Sequence, residues 1–272
     1  MSEPACSTSI KGSVHFTTAA PSDQNIIDVF AGEWSSSVPG LISTPGHAKL
    51  FSDERITWMD REFQVSGRNV LELGPLEGSH SQMMSLMGAR SITAIEGNKR
   101  AFLKCLCIKE IFDLGNVKFL LGDFNKFLEE CDNRYDIAVA SGVLYHMESP
   151  LSLLSLLTKT ADRVFLWTHF YDEGIIDARA DKHLFSPSFA IYQDAMCYFG
   201  ATKAYAEQAV EWDGFSGGPS NKATWLTLTS ILDFFAYAGF ETKTNFEQRG
   251  HPNGPAIAVC ATRVQNIRRV GA

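Results

Sequence analysis

The chain has little that would mark it as secreted, metal-bound or coated in nucleic acid. Its six cysteines (Cys6, Cys105, Cys107, Cys131, Cys197, Cys260) are scattered, and none stands at metal-ligand spacing. Cys105 and Cys107, two apart, point away from one another on a helix, so free thiols in a reducing compartment are expected. Positive charge is scarce: 24 Lys and Arg against 31 Asp and Glu leave a net charge of −7, which argues against a broad nucleic-acid-binding surface. No apolar run is long enough to cross a bilayer, and the start lacks the continuous apolar region of a secretory segment. The sequence therefore predicts a cytoplasmic protein with no membrane partner. Internal repeats and low-complexity tracts are also missing. What is present, 45% apolar and 20% charged residues, fits an ordinary globular protein with a sizeable core.

The most informative segment is Val70 to Gly78, VLELGPLEG. A short apolar run carrying an acid, Glu72, ends in a glycine-spaced turn from Gly74 to Gly78, and Ser79-His80-Ser81-Gln82 reads as the start of a helix. Such a turn exposes backbone N–H groups at the helix N-terminus, and glycine lets the backbone approach a ligand closely. Taken alone, the pattern also fits plain strand–turn–helix packing. The following strands add weight. Ser91 to Glu96 ends in a carboxylate about 20 residues after the turn, where a nucleoside ribose is held by its hydroxyls. Val117 to Leu121 runs into Gly122-Asp123-Phe124, and Tyr135 to Ala140 into Ser141-Gly142-Val143-Leu144-Tyr145-His146. Four successive strands thus carry polar residues at their C-terminal ends, the ligand-binding edge of an open parallel sheet.

Helical patterns alternate with these strands. Asn98 to Leu114 spaces Phe102, Cys105, Leu106, Ile108 and Phe112 at helical intervals, with Gly115 as the expected stop. Ser149 to Thr160 repeats leucines after Pro150. Arg163 to His169 reads as a fifth strand. Thr227 caps a helix that closes at Gly239, and Phe240 to Phe246 and Ala256 to Arg263 form a hairpin. The expected fold class is α/β: a Rossmann-like doubly wound sheet of seven strands, mostly parallel with an antiparallel C-terminal hairpin strand, plus a helical cap and lid. The expected organisation is a tail over 1–24, an N-terminal helical cap over 25–67, a core over 68–170, an aromatic-rich inserted helical lid over 171–223, core completion over 224–263 and a tail over 264–272. The cap either covers the ligand edge or packs on the flank of the sheet.

Over Arg68 to Phe170, and again near Thr224 to Arg263, the chain resembles the class I S-adenosylmethionine (SAM)-dependent methyltransferases. The family turn usually reads acid-x-Gly-x-Gly-x-Gly; here Leu76 replaces the middle glycine, while Gly74 and Gly78 remain. The stretch Val139 to Pro150, VASGVLYHMESP, is similar to a subgroup related to enzymes that modify wobble uridines in tRNA. The resemblance implies SAM as cofactor, with S-adenosylhomocysteine (SAH) as product. It places Glu72, Gly74 and Gly78 at the methionine part, Glu96 on the ribose hydroxyls, Asp123 and Phe124 at adenine, and Ser141 or Gly142 near the sulfonium.

For the acceptor, His146 is the leading candidate, because an imidazole of ordinary pKa accepts protons near neutral pH; capping the helix that follows is its bland alternative. Tyr145 and His169 face the same edge, and Tyr171 and Trp34 are expected to contact the acceptor. His80 and its two companions raise a metal-assisted reading, but no Asp or Glu pair at ligand spacing supports it, so no metal is expected. The function expected is methyl transfer to an oxygen or nitrogen of a small-molecule acceptor. The alternatives are tRNA wobble-base modification, which needs a basic face from Lys99, Arg100, Lys104 and Lys109; an NAD-binding oxidoreductase, opposed by the absence of G-x-G-x-x-G; and a non-catalytic SAM-binding protein.

Overall fold

In the computed structural model the described residues are 16–42, 46, 48–206 and 217–264. Most of the two expected tails, and 207–216 of the expected lid, lie outside them. The chain divides into two compact units, 1–48 and 49–272. The smaller contains α1 (Asp23–Asp28), whose N-terminus is capped by the Ser22 side chain. Trp34 belongs to this unit: its indole N–H donates to the Ile27 carbonyl at 3.0 Å and its ring meets Phe30 edge-on. The division at 48 falls inside the cap expected over 25–67, so that segment is not one piece.

The larger unit runs α2 (Glu54–Phe63), β1 (Asn69–Leu73), α3 (Ser79–Leu86), β2 (Ser91–Glu96), α4 (Lys99–Ile111), β3 (Val117–Leu121), α5 (Phe124–Glu130), β4 (Ile137–Ser141), α6 (Pro150–Thr160) and β5 (Arg163–His169). After an insert come α8 (Leu228–Tyr237), β9 (Phe240–Gln248) and β10 (Ala256–Arg263). Seven strands form one sheet in the order β3-β2-β1-β4-β5-β10-β9. The first five are parallel and β10 is antiparallel to both neighbours, which is the seven-stranded Rossmann-like arrangement the sequence predicts. The central strands are continuous apolar runs because helices cover both faces: Val70, Leu71, Ala138, Val139, Val164 and Leu166 have no exposure at all. Among the described residues no helix is long and apolar enough to cross a membrane.

Two expectations are corrected. The helix α4 stops at Ile111, and the left-handed residue beyond it is Asp113 (φ 48°), not Gly115; Asp is one of the non-glycine residues that tolerates this region. Of the segment before β1, α2 touches both the sheet and its C-terminal edge. Trp58 of α2 packs edge-on against Phe165 and Phe246 on the sheet, while the start of the helix, at Asp53 and Arg55, reaches the ligand edge. Finally, the insert is not chiefly helical. It holds α7 (Glu173–Asp177) and a single 3-10 turn at Lys182–Leu184, then β6 (Phe189–Gln193), β7 (Met196–Ala204) and β8 (Lys222–Leu226), an antiparallel sheet in the order β6-β7-β8. Along β7, exposed Cys197 and Phe199 alternate with buried Tyr198 and Gly200, the alternation of a half-buried strand. Tyr198 and Leu226 join the main core cluster.

Candidate functional site

A cavity of about 1080 Å³ runs along the C-terminal ends of five parallel strands. Its wall takes Asp123 after β3, Glu96 at the end of β2, Gly74 after β1, Ser141 and Gly142 at the end of β4, and Trp167 on β5. That is the order of the strands in the sheet. Neighbouring strands lie about 4.8 Å apart, so the row spans about 19 Å, enough for an elongated ligand with a second molecule at one end.

The glycine turn keeps its path despite Leu76. Gly74, Leu76 and Gly78 all have positive φ (63°, 55° and 76°), so Leu76 takes the left-handed conformation that suits a glycine. Its N–H donates to Glu96 Oε2 at 3.0 Å, and the N–H of Asn98 donates to Glu96 Oε1 at 2.8 Å. Glu96 is thereby fixed with one backbone donor per oxygen, and each oxygen retains acceptor capacity toward the cavity. Burial raises its pKa against those same hydrogen bonds. At Gly74 a Cβ would lie 3.1 Å from Val143, so the backbone there is tightly approached.

Other expected cofactor residues divide between wall and support. Gly78 caps α3 from below, where a Cβ would come 3.1 Å from Phe119; it is not on the wall. Glu72 is also off the wall, 2% exposed, and its carboxylate accepts from the Ser81 hydroxyl. It ties β1 to the first turn of α3, and burial raises its pKa. Asp123 caps α5, accepting from the Asn125 N–H at 2.8 Å, and still lines the cavity beside Phe124.

At the β4–β5 end, Tyr145 and His146 line the cavity and their rings lie 4.1 Å apart. The phenol of Tyr145 is pushed up to about 12 by burial. His146 is driven down to about 3 by burial and by the charges of His169 and Lys203. The near-neutral titration expected of it is therefore a correction: this imidazole is neutral at pH 7 and a weak base. His169 is buried behind the wall. Its Nδ1–H donates to the Gly254 carbonyl at 2.9 Å, its ring stacks on Trp225 at 5.1 Å, and burial holds it down to about 4. Tyr171 is likewise off the wall, packed with Ile176, Ala201 and Trp225. Trp34 belongs to the smaller unit described above. Among the described residues no group of three or more His, Cys, Asp or Glu is placed to hold a metal.

Three residues of the larger unit emerge that the sequence did not single out for the site. Arg55 lies 4.2 Å over the ring of Trp167, and both line the cavity. Asp53 grips Arg55 through Nε at 2.8 Å and Nη2 at 2.5 Å, and accepts from His80 Nε2–H at 3.0 Å. Burial alone would raise the Asp53 carboxyl, but the bonds from His80 and Arg55 outweigh it and hold it well below the carboxylate range. The third is Tyr205, from the insert, whose hydroxyl meets His146 Nδ1 at 2.6 Å. The only signal for Arg55 is the Asp-x-Arg spacing at a helix start; Tyr205 was legible only as one aromatic of the insert.

No protein-family model matches the chain. A tRNA U34 carboxymethyltransferase of Campylobacter hominis is 29% identical over 111 residues, 40% of this chain and 38% of that relative. The chain thus matches less than half the length of that curated relative. Among solved structures, the N-terminal domain of EvdMO1 in the presence of SAH and D-fucose is 19% identical, with a TM-score of 0.63 over 89% of this chain and 95% of that one. The magnesium protoporphyrin IX methyltransferase ChlM of Synechocystis PCC 6803, with bound SAH, is 18% identical, with a TM-score of 0.53 over 78% and 81%. At these identities the likeness speaks to architecture, and the chain has the Rossmann-like fold of SAM-dependent methyltransferases.

Proposed function

We propose that this protein binds SAM and transfers its methyl group to an oxygen or nitrogen of a small-molecule acceptor. The observation that carries this reading is Glu96, a carboxylate fixed by the N–H groups of Leu76 and Asn98 between Asp123 and Gly74 in a row of wall residues that follows strand order. Glu96 accepts the ribose hydroxyls. Asp123 takes the exocyclic amine of adenine, with Phe124 against the ring, and Gly74 lets the backbone come close to the methionine part. Arg55 keeps Nη1 outside its grip on Asp53, which suits a carboxylate. Ser141 and Gly142 lie where the sulfonium would sit.

A sulfonium supplies an already activated methyl group, so the chain's own work is to bind, align and exclude water. Tyr145 and His146 stand at the β4–β5 end, beyond the cofactor row. An imidazole held to about 3 is a poor general base at neutral pH, so His146 positions the acceptor. Calorimetry with SAM and SAH tests the cofactor; no binding of either overturns the reading. A mass-shift screen of small metabolites alongside tRNA tests the acceptor. The tRNA U34 carboxymethyltransferase relative favours the second reading, and a modified tRNA nucleoside in that screen would move the acceptor class to nucleic acid.

A further inference from the structure

Tyr205 follows the end of β7, where its backbone N–H donates to the Asn221 carbonyl at 2.8 Å. Its hydroxyl lies 2.6 Å from Nδ1 of His146. The hydroxyl is the donor, since a phenol O–H is the more acidic donor and an imidazole lone pair the stronger acceptor. Burial pushes the Tyr205 phenol above its usual range, so it keeps its proton. The neutral imidazole of His146 has a single N–H. With Nδ1 accepting, that hydrogen is on Nε2. Nε2 has no hydrogen-bond partner among the described residues, it is not sealed from solvent, and His146 stands on the cavity wall.

We infer that Tyr205 fixes His146 as the Nε2–H tautomer, a hydrogen-bond donor into the cavity, and that the acceptor therefore enters with an unprotonated oxygen: a phenolate, an enolate or a carboxylate. This rests on the methyl-transfer reading above and narrows its acceptor. The balance closes without a base. A lone pair of the oxyanion forms the new C–O bond, the C–S bond breaks, and sulfur keeps that pair. No proton leaves the acceptor, and His146, already carrying hydrogen on Nε2, has none to take. The charge of Lys203, which helps to keep the imidazole neutral, also favours an anion beside it. Tyr205 is a positioning residue, acting through His146.

The test is long-range ¹H–¹⁵N NMR of the His146 ring in labelled full-length protein, assigned with His146→Gln. The expected result is the Nε2–H tautomer between pH 6 and 8, with the Nδ1 resonance moving in Tyr205→Phe as its hydrogen bond is lost. SAH affinity in that variant stays within about twofold, because the change is remote from the cofactor row. A wild-type Nδ1–H tautomer, or an Nδ1 resonance identical in Tyr205→Phe, overturns the inference. In the acceptor screen an O-methylated acid supports the acceptor class and an N-methylated product overturns it. Loss of SAH binding by the wild type is a separate failure. It removes the methyl-transfer reading, and the NMR result does not depend on it.

Discussion

At the scale of single residues, the site is organised by carboxylates that spend some of their hydrogen-bonding capacity on the fold. Glu96 holds the turn through Leu76 and the start of α4 through Asn98, which leaves only its remaining acceptor capacity for a ligand. Glu96→Ala should weaken SAH binding by about 1–3 kcal/mol, the cost of leaving hydroxyl partners unmade; unchanged affinity in calorimetry would place the ribose elsewhere. Arg55 offers a sharper comparison. Arg55→Gln removes a charged donor but leaves Asp53 bonded to His80, so the local fold keeps one of its ties. The expected loss for SAH is about 1.5–3 kcal/mol, the range for hydrogen bonds to charged groups. The affinity for 5′-methylthioadenosine, which has no carboxylate, should stay nearly constant. Equal losses for the two ligands would show that Arg55 supports the wall without touching the methionine end.

At the scale of elements, the glycine turn shows how a departure from a motif can leave its geometry intact. Leu76 occupies φ 55°, which costs an L-residue about 1–2 kcal/mol, while glycine at the same place would cost about 0.5–1 kcal/mol in chain entropy. Leu76→Gly should therefore leave stability within about 1 kcal/mol and SAH affinity unchanged. A large loss in urea unfolding would mean that the Leu76 side chain, and not only its N–H, holds the turn. Much of this was legible in advance. The strands at Ser91 to Glu96 and Val117 to Leu121 coincide with β2 and β3, because buried parallel strands are short apolar runs between turn residues. Polar ends at Glu96, Asp123 and Ser141 follow from the same pattern. The insert reads as helical from sequence because Phe185, Phe189 and Tyr192 stand at i, i+4 and i+7, and a buried strand residue such as Tyr198 is defined by a core partner, Phe234, supplied thirty-odd residues later. His169 and Tyr171 sit at the right strand end, but their rings turn into Trp225 and Phe185. Arg55 and Tyr205 come together with the site through tertiary packing, which no local spacing records.

At the scale of the whole molecule, the burial of histidines links the site to stability. His146 and His169 are held at about 3 and about 4 in the folded chain, against about 6.5 when unfolded. Both are depressed, so their contribution is fully present above pH 6.5 and is lost as pH falls, because the unfolded chain takes up protons that the native one refuses. Asp53, also depressed, acts with the same sign but only below the ordinary carboxylate range. Glu72 and Glu96, raised by burial, act with the opposite sign: their contribution is present below about 4.5 and fades as pH rises through their folded values. Between pH 6.5 and 5.5 the two histidines make unfolding free energy rise with pH and the raised carboxylates oppose them, so the histidine share is read from the difference in slope between wild type and variant. Deep in the titration each histidine adds about 1.4 kcal/mol per pH unit to the slope. His146→Gln and His169→Gln will each shift the absolute stability for reasons of packing, so the slope is the quantity to compare. Each variant should lower it by one proton's worth at pH 5.5, measured by urea unfolding at a series of pH values. A slope unchanged in both would mean that these imidazoles take up protons in the native protein as readily as in the unfolded chain, and that the cavity wall around His146 is wetter than its packing against Tyr145 and Tyr205 implies.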